Sequence, residues 1–387
     1  MKKYIFPILS HVLAALIAVV ITLTIVFTSI LDNRGKLDEL RTLIDHKYID
    51  DVDWKAVEDE AAAAIVGSLG DRWSYYLSAE EHVAYMDRSN NVAVGIGISF
   101  NVRKDNQGLD VVSVLAGGPA AAAGLLAGDI IIAIDGHSIV NMTTAEVREC
   151  IGGEQGTTVT LTFLRGGVAY DITTTRRYIE TPVATGKLLE GNIGLVTIEN
   201  FDERCASETI AAIEALRKQG AEMLIFDVRY NPGGYKDELV EVLDYLLPEG
   251  VLFRGEYYDG RVVTEQSDEK CLNIPMAVLV NGGSYSAAEF FAAALWEYEA
   301  AIVVGEHTVG KGYFQNVYEL SDGSAVSLSI GKYYTPKQGI SLEGVGIAPD
   351  VLVEIKNNEV AQGIYYGTLD PMEDPQILAA IGVLQGQ

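Results

Sequence analysis

Residues 274–297 read IPMAVLVNGGSYSAAEFFAAALWE. An apolar run of strand length comes first, then two glycines and two serines, then an apolar stretch rich in alanine that reads as a helix. Strand, glycine turn and helix in that order are the unit of an α/β layer. The turn puts hydroxyls and small side chains where the strand gives way to the helix. Ser286 is thereby expected on the first helical turn, where free N–H groups favour developing negative charge. Small neighbours let a carbonyl group approach. A nucleophile and its oxyanion hole need both features.

The same alternation extends on both sides. GNIGLVTIENF (191–201) reads as a strand and ASETIAAIEALRKQG (206–220) as a helix. AEMLIFDVRYNPGG (221–234) is a buried strand ending in a Pro-Gly-Gly turn, and YKDELVEVLDYLLPEG (235–250) is a helix. AAIVVGE (300–306) and GSAVSLSIGKYYTP (323–336) add further strands. Residues 179–355 therefore form an α/β core with crossover connections. A serine hydroxyl needs a base, and GEHTVGKGYFQ (305–315) offers His307 and Lys311. Histidine is the commoner general base. Lysine serves only when its pKa is depressed, and Lys311 stands between glycines with Val309, Tyr313 and Phe314 nearby. Residue chemistry leaves both open.

The chain has 387 residues, 28 basic against 54 acidic, for a net charge of −26. That charge repels phosphate backbones and argues against nucleic acid as a partner. Cys150, Cys205 and Cys271 show no metal spacing and read as small buried residues. No metal or cofactor is implied.

Residues 4–30 carry no Asp, Glu, Lys or Arg. About 20 apolar residues span a bilayer core, so a transmembrane signal anchor is expected there. Lys2 and Lys3 favour a cytoplasmic N-terminus with the remainder outside. Residues 31–90 are expected to form a small helical domain, from LDELRTLIDHKYID (37–50) and WKAVEDEAAAAIVGSLG (54–70). Residues 356–387 carry a polar linker and a short apolar helix, PQILAAIGVLQ, expected to dock or to form a dimer.

Residues 91–178 resemble a PDZ domain. GIGI (95–98), GGPAAAAGLLAGDIIIAIDG (117–136) and the helix opened by Thr143 or Thr144 and stopped by Gly152-Gly153 carry the likeness. It implies a β-sandwich-like fold whose Gly95, Ile96, Gly97 and Ile98 grip a peptide C-terminus as an added strand. Relatives often carry an arginine before the glycine that ends this helix, a place taken here by Gly152.

The chain from about 65 to 355 resembles the carboxyl-terminal processing peptidases, serine peptidases with a Ser-Lys dyad and an inserted PDZ domain. GDRWSYYL (70–77), the PDZ block, FDVRYNPGG (226–234), NGGSYSAAEF (281–290), HTVGKGYFQ (307–315) and KYYTPKQGISLEGVGIAPD (332–350) stand in the family order. The resemblance makes Ser286 the nucleophile, Lys311 its base and Gln315 the group that orients the lysine. It makes Ala287 with Gly233 or Gly234 the oxyanion hole, and leaves His307 incidental. Ser284 and Glu289 read as structural, and Asp227 with Arg229 as an ion pair. Tyr285 stands where the family has alanine, and its bulk is expected to narrow a pocket or cover Ser286 at rest. The resemblance implies a bacterial envelope peptidase that binds and cuts protein substrates with a free C-terminus. A second reading, a membrane-anchored PDZ scaffold without hydrolysis, is opposed by Ser286, Lys311 and Gln315 standing together.

Overall fold

The computed structural model describes residues 19–21, 35–103 and 105–386, in two compact units divided after Ile65. The expected anchor at 4–30 lies, but for residues 19–21, outside the described residues. Among the described residues no helix is long and apolar enough to cross a membrane. In the first unit the helix Lys36–Lys47 is tied to the start of the helix Trp54–Gly67. Arg41 pairs with Glu58 and lies over the Trp54 ring at 4.6 Å, and Trp54 Nε1 donates to Asp45 at 2.8 Å.

The second unit is built on a six-stranded sheet in the order 184–189, 193–198, 223–227, 276–280, 301–305, 351–352. The first pair is antiparallel and the rest are parallel. Period-two alternation divides each strand between two cores. Met276, Val278 and Val280 face one, Ala277 and Leu279 the other, and all five are buried. The run is continuously apolar because helices cover both faces. Cys205–Lys218, Lys236–Leu246 and Ala287–Glu297 pack on one side, and Pro375–Gln385 on the other.

That last helix settles part of the tail. Ile377, Ala380 and Leu384 are spent on the chain's own sheet. Buried Arg229 fastens the segment, reaching Asp374 at 2.8 Å and Gln376 at 2.9 Å while pairing with Asp227 at 2.5 Å.

A second, antiparallel sheet holds Gly250–Tyr257, Val262–Ser267, Tyr313–Glu319, Ala325–Tyr334 and the short strand Tyr75–Leu77. Tyr75 lies opposite Ser327. The expected helical domain at 31–90 is therefore corrected: it includes a strand belonging to the large unit. Tyr-Tyr-Leu favours extended backbone. The Ser78–Glu81 capping box then opens the helix Ala79–Ser89, with Ser78 N on Glu81 Oε2 at 2.9 Å.

The PDZ-like block forms an antiparallel sheet in the order 98–102, 109–114, 130–134, 158–165, 168–175, with its own core around Ile96, Leu125, Val147 and Leu161. Thr143 caps the helix Thr144–Ile151 and Gly152 closes it. Arg176 supplies an arginine to that helix end from elsewhere, donating to Cys150 O at 3.1 Å and Ile151 O at 2.8 Å. A ribbon of Val92–Gly95 and Arg177–Glu180 leads back to the core. Cys205 is buried as expected. Cys150 is half-buried and Cys271 exposed, which corrects the reading of all three as interior residues.

Candidate active site

The strand Met276–Val280 ends in a turn that orders itself. Asn281 Oδ1 accepts from Gly283 N at 3.0 Å and Tyr230 N at 2.9 Å. Ser284, fully buried, donates to Val228 O at 2.7 Å, so its hydroxyl is structural. Ser286 follows at φ 60°, ψ −122°, a conformation side-chain-bearing residues rarely adopt. The strain is held from three sides. Ser286 N donates to Glu289 at 3.1 Å, and Tyr285 N to Asn231 O at 3.1 Å. The Pro-Gly-Gly turn presses against the serine so closely that a Cβ on Gly233 would lie 2.7 Å from Ser286 Cβ. Only glycine permits that approach.

Ala287 N–H heads the helix Ala287–Glu297 and has no partner among the described residues. Gly233 N–H is committed to Asn231 Oδ1 at 2.8 Å. Of the two turn glycines, Gly234 therefore keeps the free N–H among the described residues. Gly234 is itself locked, since a Cβ there would sit 2.2 Å from Phe201 C.

Glu289 binds the turn to the lysine loop. Its buried carboxylate accepts from Thr308 Oγ1 at 2.5 Å, Gly310 N at 2.7 Å, Lys311 N at 2.9 Å and Ser286 N. Glu289 is a structural hub, as its position in the sequence suggested. Lys311 Nζ lies 5.0 Å from the Trp73 ring centroid and 5.8 Å from that of Tyr285, and these two rings stack at 6.2 Å. The amine makes no hydrogen bond among the described residues. Burial brings its pKa down from 10.5 to about 8, against the opposing charges of Asp71, Glu289 and Glu343.

Ser286 and Lys311 line one cleft of about 880 Å³ without bonding each other. Tyr333 stands beside the Ser286 side chain, and its own hydroxyl donates to Lys311 O. Tyr333 is almost wholly buried, which pushes its phenol well above the usual range. Gln315 lines the cleft, but its amide donates to Tyr313 O and Ser329 Oγ, each at 3.1 Å, and not to the lysine. Lys311's orientation comes from Trp73, Tyr285 and the field of Asp71. His307 is exposed, holds Thr308 O at 3.1 Å and stands outside the cleft.

Sequence reasoning missed Asp71, Trp73 and Tyr333. Trp73 Nε1 donates to Glu343 at 3.3 Å, Arg72 to Gly310 O at 3.2 Å, and Glu343 in turn accepts from Gly312 N at 2.7 Å. The segment 70–77 thus braces the lysine loop from far away in sequence. Its only signal was membership of the motif GDRWSYYL.

The four PDZ residues divide in role. Gly95 is paired with Arg177 in the ribbon, and the Ile96 side chain is core. Gly97 adopts φ +77°, and Ile98 opens the edge strand Ile98–Val102. That strand's outer side is unpaired among the described residues, and Arg148 of the helix Thr144–Ile151 lies 5.9 Å from the Phe100 ring.

Residues 192–353 match Peptidase family S41, and residues 111–165 match the PDZ domain. The chain is 32% identical over 325 residues to a CtpA-like serine protease of Staphylococcus epidermidis, covering 83% of this chain and 65% of that one. It is 33% identical over 323 residues to the carboxy-terminal processing protease CtpA of Bacillus subtilis, covering 83% of this chain and 69% of that one. The chain thus spans about two thirds of the length of these relatives. An S41 protease structure from Bacteroides fragilis has the same fold, with a TM-score of 0.57 at 18% identity over 88% of this chain and 98% of that one. With the PDZ match inserted ahead of the nucleophile turn, these likenesses mean that the chain belongs to peptidase family S41.

Proposed function

We propose that this chain is a serine endopeptidase that cuts protein substrates near a free C-terminus, with Ser286 as nucleophile and Lys311 as base. One observation carries the reading: a strained serine at a helix N-terminus shares a cleft with a lysine whose burial brings its pKa to about 8. Neutral Lys311 takes the Ser286 proton as Oγ attacks the scissile carbonyl. The oxyanion is met by Ala287 N–H and the Gly233-Gly234 turn, with Gly234 as the free donor. Lys311 then returns the proton to the leaving amine, and water hydrolyses the acyl-enzyme by the same route. The arrangement described above is a resting one. Catalysis requires the amine to leave the Trp73 and Tyr285 faces and reach Ser286.

The unpaired edge of Ile98–Val102 supports strand addition by a substrate tail, with its carboxylate at the Gly95–Gly97 turn. The uncharged stretch at 4–30 supports a membrane anchor that holds the peptidase on the outer face of a bacterial envelope.

The test uses the full chain and an unfolded protein with a free apolar C-terminus. Cleavage is expected to vanish with Ser286→Ala and with Lys311→Ala, to survive His307→Ala, and to slow when the substrate C-terminus is amidated. Loss with His307→Ala but not Lys311→Ala would sink the dyad. Equal rates for acid and amide would sink the carboxylate-reading step.

A further inference from the structure

The cleft that holds Ser286 continues past the oxyanion turn to a half-buried acid that the reaction does not use. Asp202 lines it, together with Tyr75, Tyr85, Tyr235 and Tyr285. The Asp202 backbone is locked to the turn. Phe201 N donates to Gly233 O at 2.7 Å, Tyr235 N to Phe201 O at 2.7 Å, and a Cβ on Gly234 would lie 2.6 Å from Asp202 N. Asp202 therefore shares the cleft with the candidate nucleophile, and its carboxylate makes no hydrogen bond or ion pair among the described residues.

Two of the cations nearby are otherwise engaged. Lys236 is held by Glu265 at 2.5 Å and Asp237 at 2.7 Å, and Arg204 by Glu208 at 2.9 Å. Arg88 is exposed at the cleft's rim, and Lys311 lies against its own aromatic pair. Burial, then Glu203 and Glu238, push the Asp202 carboxyl up to about 7. Asp202 is close enough to Tyr85, Tyr235 and Tyr285 for its charge to raise all three phenols. Ser89 lines the cleft with Tyr85 and Tyr235 and acts on both phenols. A lone carboxylate among aromatic faces matches a cation that has a flexible apolar stem.

We propose that Asp202, Tyr85, Tyr235 and Tyr285 form a subsite for a lysine or arginine side chain of the substrate, close to the bond that is cut. A bound cation supplies the charge partner Asp202 lacks, and the tyrosines line its stem. The inference rests on the peptidase reading, so its test keeps the two separable.

Peptides with a free C-terminus, identical but for lysine, norleucine or glutamate at one position, are scanned across the cut site with the full chain. At one position lysine is expected to exceed norleucine in kcat/KM by about tenfold, with glutamate lowest. In Asp202→Asn that ratio should fall toward one, and in Asp202→Lys glutamate should overtake lysine. Equal lysine and norleucine rates at every position, or a ratio unmoved by Asp202→Asn, would overturn the subsite. The same comparison is made by equilibrium binding to Ser286→Ala, which reads the subsite without hydrolysis. A lysine preference there that Asp202→Asn removes upholds the subsite even if the wild type cuts nothing, whereas equal binding refutes it.

Discussion

Replacing Lys311 by methionine should abolish cleavage and yet stabilise the protein, by an amount that depends on pH. The pKa of this lysine falls from 10.5 to about 8 because burial disfavours the ammonium more than Asp71, Glu289 and Glu343 favour it. Between those values the unfolded chain binds more protons than the folded one, so this group's contribution to stability rises with pH across that window and is least favourable below it. A shift from 10.5 to about 8 corresponds to about 3 kcal/mol of penalty near pH 6, of which about 1 kcal/mol is left near pH 10. Methionine fills similar space without a charge. Its stability advantage over wild type should therefore shrink by about 2 kcal/mol from near pH 6 to near pH 10. Urea unfolding followed by tryptophan fluorescence measures this, with Trp73 reporting from beside the substitution. The difference between variants cancels the titrating groups that do not interact with Lys311. A difference that stays constant with pH would mean the amine is not desolvated, and the case for a neutral lysine base would fall with it.

The remaining predictions concern the rate and the scaffold. Since Lys311 must be neutral to act, kcat/KM should climb through about pH 8 and level off above it; a profile centred near 6.5 would indicate histidine instead. Tyr285→Ala should raise kcat by about fivefold by freeing the amine from one of its two rings, and an unchanged or lower kcat would show that the ring does not restrain it. Glu289→Gln places an amide donor among four donors, and should lower unfolding stability by about 2–4 kcal/mol and remove activity; a stable, active variant would refute the hub. Arg229→Met strands two buried carboxylates, Asp227 and Asp374, and should cost about 3–5 kcal/mol, read as early proteolysis of the tail beyond residue 356; protection equal to wild type would show that the tail holds without it.

What the sequence made legible follows from how locally each feature is encoded. The central strand Met276–Val280 and its helix are a continuous apolar run, a glycine turn and a small-residue helix, and each leaves its mark within a few residues. Glycine 233 could be expected at the oxyanion turn, but not that its N–H would be taken by Asn231, because that depends on one side-chain rotamer. The hairpin Gly250–Tyr257 and Val262–Ser267 went unseen because its residues alternate between more and less buried, with Arg254, Glu256 and Thr264 along the outer face, so that it reads as polar linker. Tyr75–Leu77 is too short to show any period and becomes a strand only through its partner at 325–327. Asp71 and Trp73 lie more than 200 positions before the lysine they position, as the Arg72–Gly310 separation of 238 measures, and no local pattern spans that distance. The chemistry of Lys311 is therefore divided between two kinds of information. Its identity and its glycine neighbours are written in the loop itself, whereas the burial that makes it a base is contributed by a segment that belongs to another part of the chain. A lysine in such a loop is a candidate in the sequence, and only the fold gives it a pKa suited to the work.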